Sequence, residues 1–164
     1  MSKMGKFKAS DLQKFQKQLN QLQESTETFV ELCAKELAAR LLRKVIERTP
    51  VGHYSEKSGK KGGTLRRGWT SATYEDAANG KGKGSKARAY ANSLEVEHTG
   101  GSYRVQIVNP VEYASYVEYG HRRNNGQGWT RGRFMLTFSE EELQQIAPKV
   151  LESKIRKILK EYMK

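Results

Sequence analysis

The chain has 164 residues, 36% of them apolar, and 30 Lys and Arg against 18 Asp and Glu give a net charge of +12. That length allows one domain with a modest core, and a mean hydropathy of −0.81 leaves much of the chain to surface, loop or interface. A single cysteine, Cys33, excludes an internal disulfide and a multi-cysteine zinc site.

No run approaches the ~18 apolar residues of a membrane span. The basic start, MSKMGKFKAS, lacks the apolar stretch of a secretory signal, so the sequence reads as a soluble protein made in the cytoplasm. The charge is uneven: residues 50–91 carry a net +6 and residues 121–133 a net +4, whereas 92–120 are net −3. Such a balance favours a polyanionic partner or ionic surroundings.

In chain order, residues 10–49 read as helix, with Ser10 as N-cap. Leu12, Phe15, Leu19 and Leu22 form a narrow apolar seam suited to a partner, and from Phe29 to Ile46 the stripe widens as if buried against a sheet. Ser25, Thr26 and Thr28 mark a break or kink between the two halves, and Pro50 ends the element.

Residues 52–66 and 79–92 are polar, glycine-rich and without period, and they bracket a strand-like GWTSATYE (68–75) or form the sides of a long hairpin arm. Alternation in 94–97 and 103–108 marks an antiparallel hairpin. Residues 111–119 form a short helix stopped by Gly120, and 121–133 form a basic loop. Ser139 and Glu142 make a capping box for the last helix, in which Pro148 imposes a delayed start or a kink.

The expected architecture is α+β. One small antiparallel sheet is packed by a long N-terminal and a C-terminal helix, with flexible basic loop arms. It forms a single domain over 1–164: helix 10–49, basic arm and strand 52–92, sheet, short helix and loop 93–138, and helix 139–164.

Catalytic groups do not converge in this sequence. His53, His98 and His121 stand apart without ligand spacing, Cys33 sits on an apolar helix face as a small core thiol, and Glu112 and Glu118 face different ways as solvated or ion-paired carboxylates. The glycines at 59–63 and 80–84 lack the spacing of a phosphate loop. No enzyme activity, no cofactor and no metal are expected.

The basic loops say more. Lys57, Lys60, Lys61, Arg66 and Arg67 in one, and Lys81, Lys83, Lys86 and Arg88 in the other, either attract phosphates without reading sequence or simply solvate the chain. Tyr113, Tyr116, Tyr119 and Trp129 suit base stacking, or core packing with a protein interface. Tyr113, Tyr116, Val117 and Phe134 are expected to be largely buried, either in the core of the chain or at the contact with a neighbour, and Glu118 to pair with an arginine of 121–133 or with Arg66 or Arg67.

Taken together, AARLLRKVIERTPV (38–51), GGTLRRGW (62–69), YRVQIVNPVEYASYVEYGHR (103–122) and GRFML (132–136) resemble a bacteriophage family. It is the tail-component family typified by the tenth gene product of a lambdoid coliphage, comprising tail-completion or head–tail joining (neck) proteins of long-tailed phages. Asn109, Tyr113, Ala114, Tyr116, Val117, Glu118 and Gly120 match its most specific motif, and Leu65 and Arg66 match an earlier one.

The resemblance implies a structural virion protein without catalysis, assembled as a ring, commonly sixfold, at the head-proximal end of the tail tube. Its expected partners are itself, the tail tube protein, a head-connector or stopper protein and, transiently and non-specifically, the phage genome; no membrane is expected. It would reside in the virion tail or neck, and in the host cytoplasm during assembly. On this reading Arg66, Arg67, Trp69, Tyr113, Tyr116, Glu118, Tyr119, Arg122, Arg123, Trp129, Arg133 and Phe134 face a subunit or partner. Lys57, Lys60, Lys61, Lys81, Lys83, Lys86 and Arg88 face DNA in the lumen. The alternative is a sequence-independent nucleic-acid-binding accessory protein.

Overall fold

The computed structural model describes residues 9–59, 62–80, 86–123 and 126–162, with some side chains of 9–23 and of the last residues left out. Helix α1 (Ala9–Arg48) is unbroken over 40 residues, about 60 Å. The expected break at Ser25–Thr28 does not occur. The Thr28 hydroxyl donates to the Glu24 carbonyl at 3.0 Å, so it bonds within the helix instead of competing with it. The expected seam of Leu12, Phe15, Leu19 and Leu22 falls on side chains outside the described residues.

The wider stripe of α1 is core as expected. Cys33, Ala38, Ala39, Leu42, Val45 and Ile46 are buried, Leu42 and Val45 completely. Burial pushes the Cys33 thiol up, as for a small apolar core residue. What covers this stripe is mostly helical rather than sheet: α4 and α6, with the edge of a short hairpin.

At the end of α1, Thr49 is fully buried. Its hydroxyl donates to the Val45 carbonyl at 2.6 Å and accepts the Trp69 indole N–H at 2.8 Å. Its carbonyl takes the Arg66 Nε and Nη2 at 3.0 and 2.6 Å. A C-terminal carbonyl of a helix is otherwise an orphan acceptor, and a guanidinium suits both the acceptor and the negative end of the dipole.

Trp69 arrives there on helices, which corrects the strand expected over 68–75. After a 3-10 turn (Glu56–Ser58), α2 (Thr64–Gly68) and α3 (Tyr74–Ala78) flank the segment. The β-forming Thr73 serves instead as the N-cap of α3, its side chain accepting from the Asp76 N–H at 3.2 Å. Tertiary burial of the indole outweighs strand propensity.

The segment 79–92 is likewise not all loop. Helix α4 (Ala87–Ser93) buries Ala87 and Ala91, four residues apart, against the core. Alanines at that spacing carry a helical signal that the surrounding lysines and glycines obscure.

Strands β1 (Val96–Thr99) and β2 (Ser102–Val105) pair antiparallel around Gly100-Gly101, with His98 stacked on Tyr103 at 4.4 Å. Helix α5 (Ala114–Tyr119) follows, then β3 (Gly120–Arg122) and β4 (Trp129–Arg131). The fold is α+β, but with two separate two-stranded sheets where one was expected, because the basic loop 121–133 closes into its own hairpin.

Helix α6 (Met135–Tyr162) runs through Pro148 without interruption and begins four residues before the expected capping box. Ser139 and Glu142 lie inside the helix and serve α1 instead. The Ser139 hydroxyl donates to the Met135 carbonyl at 2.6 Å and accepts from Arg48 at 3.0 Å. Glu142 takes Lys44 at 2.5 Å and also Arg48. Further along, Lys154 approaches Glu36 at 3.9 Å, which makes α6 antiparallel to α1. Glu36 also pairs with Arg40 and with Arg88 of α4, both at 2.9 Å, so one carboxylate links three helices.

Two expectations follow from these links. Replacing Thr49 by Val strands the buried Trp69 N–H and should cost about 1–3 kcal/mol in chemical denaturation. Hydrogen bonds from Lys44 and Arg48 hold the Glu142 carboxyl below its usual range. A depressed carboxyl stabilises the fold above its unfolded value, about 4.3, and that contribution disappears as pH falls through the folded value. Thermal melts at falling pH should therefore show wild type above Glu142→Gln near neutrality and converging with it in acid.

Candidate protein-contact surface

The segment from Asn109 to Gly120 joins the core to the surface, and two of its polar residues, Asn109 and Glu118, have positional tasks. The Asn109 amide donates to the Leu65 carbonyl of α2 at 2.9 Å, and its oxygen accepts the Val111 N–H at 3.2 Å. A Cβ on Gly68 would fall on that oxygen, so a glycine is required where α2 meets Asn109. Val111 is buried, and Ala114 and Val117 pack on the core from α5.

Glu118 is 5% exposed. One carboxylate oxygen accepts the Leu136 N–H at 3.0 Å. The other accepts the Thr137 N–H at 2.9 Å and the Thr137 hydroxyl at 2.8 Å. These are first-turn donors of α6, whose own cap position, Phe134, has a φ of 51° and cannot supply a polar side chain. The negative carboxylate also faces the positive end of the helix dipole.

The expectation that Glu118 pairs with an arginine is thereby corrected: backbone donors occupy it. The backbone repeats the join, with the Arg133 N–H on the Val117 carbonyl at 2.8 Å and the Phe134 N–H on the Glu118 carbonyl at 3.0 Å. Gly120 (φ 88°) lets β3 close on β4, since a Cβ there would strike the Thr130 carbonyl and the Trp129 indole.

The aromatic residues of this segment lie outside. Tyr116, Tyr119 and Trp129 are about 60% exposed and Tyr113 is 40% exposed, so Tyr113 and Tyr116 are not buried in the core of the chain, the first of the two burials expected for them. Val117, on the opposite face of α5, does pack inward, and Phe134 is half-buried against Phe138 at 5.7 Å. A cleft of about 230 Å³ opens beside Tyr113, bounded by Tyr54, Leu65 and Val117. Burial pushes the Tyr113 phenol up, with Tyr54 and Tyr74 adding to the shift and Arg67 opposing it.

Other expected contact residues are internal. Trp69, 4% exposed and hydrogen-bonded to Thr49, is core and offers no surface. Arg66 closes α1, and Arg67 donates to the Ala77 carbonyl at 2.7 Å and the Gly62 carbonyl at 3.1 Å, so both guanidiniums are spent on helix ends and turns. Arg122, Arg123 and Arg133 are exposed as expected for a contact surface.

Of the lysines expected to face DNA, Lys57 and Lys86 are exposed, whereas Lys60, Lys61, Lys81 and Lys83 lie outside the described residues. Arg88 is tied to Glu36 and is not a free arm residue. Among the described residues no three His, Cys, Asp or Glu side chains gather as a metal site would need.

A surface of exposed aromatics on an anchored short helix, with its charges engaged beneath, is the form of a structural contact protein. A family model matches residues 13–120, and the chain belongs to the HK97-gp10-like family, whose members are assigned as bacteriophage tail components. No curated protein and no solved structure matches it. As a tail component it belongs to the virion, and no described helix is long and apolar enough to cross a membrane. The matched region ends at Gly120, leaving most of the β3–β4 hairpin and all of α6 outside it.

Removing the Glu118 cap should be costly, because backbone donors of α6 depend on it. Glu118→Ala leaves the Leu136 and Thr137 N–H groups unmet and should lower stability by about 2–4 kcal/mol. Tyr116→Ala, at an exposed position, should stay within about 0.5 kcal/mol of wild type. Denaturant titration of the two variants checks both values.

Proposed function

We propose that this tail component is a non-catalytic ring protein at the head-proximal end of the tail tube, ending the tube and docking it to the head connector. What carries the reading is the placing of Tyr113, Tyr116 and Tyr119 on the surface, within a motif whose other members pack inward. Large aromatics exposed on a fixed platform give contact area at little entropic cost, and such residues dominate interface energetics.

Copies of the chain related by rotation would bring this surface against a different face of the neighbour, a head-to-tail contact that closes into a ring. A sixfold ring is proposed from the family resemblance. Its partners would be the tube protein on one side and a connector or stopper protein on the other, met in the host cytoplasm during assembly. The glycine-mounted lysines of 57–61 and 81–86 would face the lumen, where the genome passes without being read.

Sizing of the protein alone and electron microscopy with tail tubes test this. Rings at the head-proximal tube end are expected, and Tyr116→Ala with Tyr119→Ala should keep the monomer's melting temperature while losing the ring or its docking. A folded double variant that assembles and joins heads normally would remove the aromatic surface from the interface.

A further inference from the structure

The arginines of this chain fall into two groups. Arg40 and Arg88 hold Glu36, Arg48 holds Glu142 and Ser139, Arg156 holds Glu152, and Arg66 and Arg67 close helix ends and turns. By contrast, Arg43, Arg104, Arg122, Arg123, Arg131 and Arg133 are exposed and have no ion pair or side-chain hydrogen bond among the described residues, and the last four lie together within 122–133. No acidic residue lies between Glu118, which is buried on α6, and Glu140.

The strand register arranges these cations. Arg122 stands opposite Trp129, and Arg131 stands opposite Gly120. Because side chains alternate along a strand, Arg122, Trp129 and Arg131 share one face, with the two arginines on a diagonal roughly 7–8 Å apart at their Cβ atoms. The absent side chain of Gly120 leaves room for Trp129: the indole Nε1 lies 2.7 Å from where a Cβ would be, closer than a side chain allows. Trp129 is still 60% exposed, so it forms a flat apolar floor between two unpaired guanidiniums. Arg123 folds over Gly128 at the turn, where its N–H meets the Gly128 carbonyl at 3.2 Å. At its base the hairpin is fixed by the Arg133 N–H on the Val117 carbonyl.

We propose that the β3–β4 hairpin is a binding site for the phosphate backbone of duplex DNA. In a chain of +12, unpaired cations held this close repel one another, and among the described residues no carboxylate pairs with them. A polyphosphate does. Guanidinium forks take phosphate oxygens in pairs, which lysines on glycine-rich loops cannot do, and duplex DNA presents about one charge per 1.7 Å of axis along its whole length. The indole supplies apolar contact to the deoxyribose edge. The binding is independent of sequence, because its strength comes from charge and released counterions. The choice of duplex over single strand rests on the tail reading above; the site itself does not.

The test uses the full-length protein, a short labelled duplex and the matching single strand, with anisotropy for affinity and iodide quenching for Trp129, since Trp69 is buried. Wild type is expected to bind duplex with steep salt dependence and to lose iodide quenching of Trp129 when DNA is bound. Arg122→Gln with Arg131→Gln should melt as wild type does, bind at least about tenfold more weakly, and lose about one unit of salt slope per arginine. Lys57→Gln with Lys86→Gln should leave the Trp129 protection in place.

Unchanged affinity and slope in the arginine variant, or DNA binding that leaves Trp129 open to iodide, would overturn the site. Preference for the single strand would overturn the duplex assignment. Tighter binding to poly-glutamate than to DNA at equal salt would give the hairpin to an acidic protein instead. Ring formation and docking on tails are read separately by microscopy, so failure here leaves that reading standing.

Discussion

A helix of 28 residues begins with four N–H groups that nothing within the helix can accept, and at α6 the acceptor comes from another element. Glu118 reaches the first turn with both carboxylate oxygens while its own carbonyl takes the Phe134 N–H. One residue thus fixes where α6 starts and how α5 meets it. The antiparallel packing of α6 on α1 depends on that start, because Ser139 and Glu142 can meet Arg48 and Lys44 only if the helix has already begun at Met135. A buried carboxylate would be expensive if it stood alone; two backbone donors, a hydroxyl and the helix dipole offset its desolvation.

The same economy governs the basic residues. A chain with 30 Lys and Arg cannot place them all in loops. Arg66 on the end of α1, Arg67 on the end of α3 and Lys35 on the Asn92 carbonyl at the end of α4 satisfy carbonyls that would otherwise be orphaned. Arg88 and Lys154 converge on Glu36 to bind α4 and α6 to α1. Four cations without partners among the described residues, Arg122, Arg123, Arg131 and Arg133, lie in and beside the β3–β4 hairpin, beyond the region matched by the tail-component family. The family match and this arginine cluster therefore lie in different parts of the chain.

The aromatic motif combines both demands in seven residues. In Y-A-S-Y-V-E-Y, Val117 and Glu118 turn inward and Tyr113, Tyr116 and Tyr119 turn outward. A six-residue helix has room for one buried face, so the residues opposite it are exposed however large they are.

Much of the α+β outline was legible in the sequence. The 3.6-residue stripe from Phe29 to Ile46, the alternation around Gly100-Gly101 and the stop at Gly120 are local signals, fixed by periodicity and backbone sterics whatever the rest of the chain does. Asn109 through Gly120 stood out as resembling a family motif, and the family so recognised is the one whose model matches residues 13–120. The role of each motif residue was not legible, because it depends on partners distant in sequence. Glu118 looked like half of an ion pair until α6 arrived at its carboxylate, and Trp69 looked like strand or interface until Thr49 offered it an acceptor. Ser139 and Glu142 have the spacing of a capping box, yet the helix begins earlier because a cap comes from elsewhere. Sequence determined which segments could be helical or extended and where the charge is dense. Only the tertiary structure decided which cations are consumed by the fold and which aromatics remain outside, since burial and pairing are properties of contacts between segments and not of any segment alone.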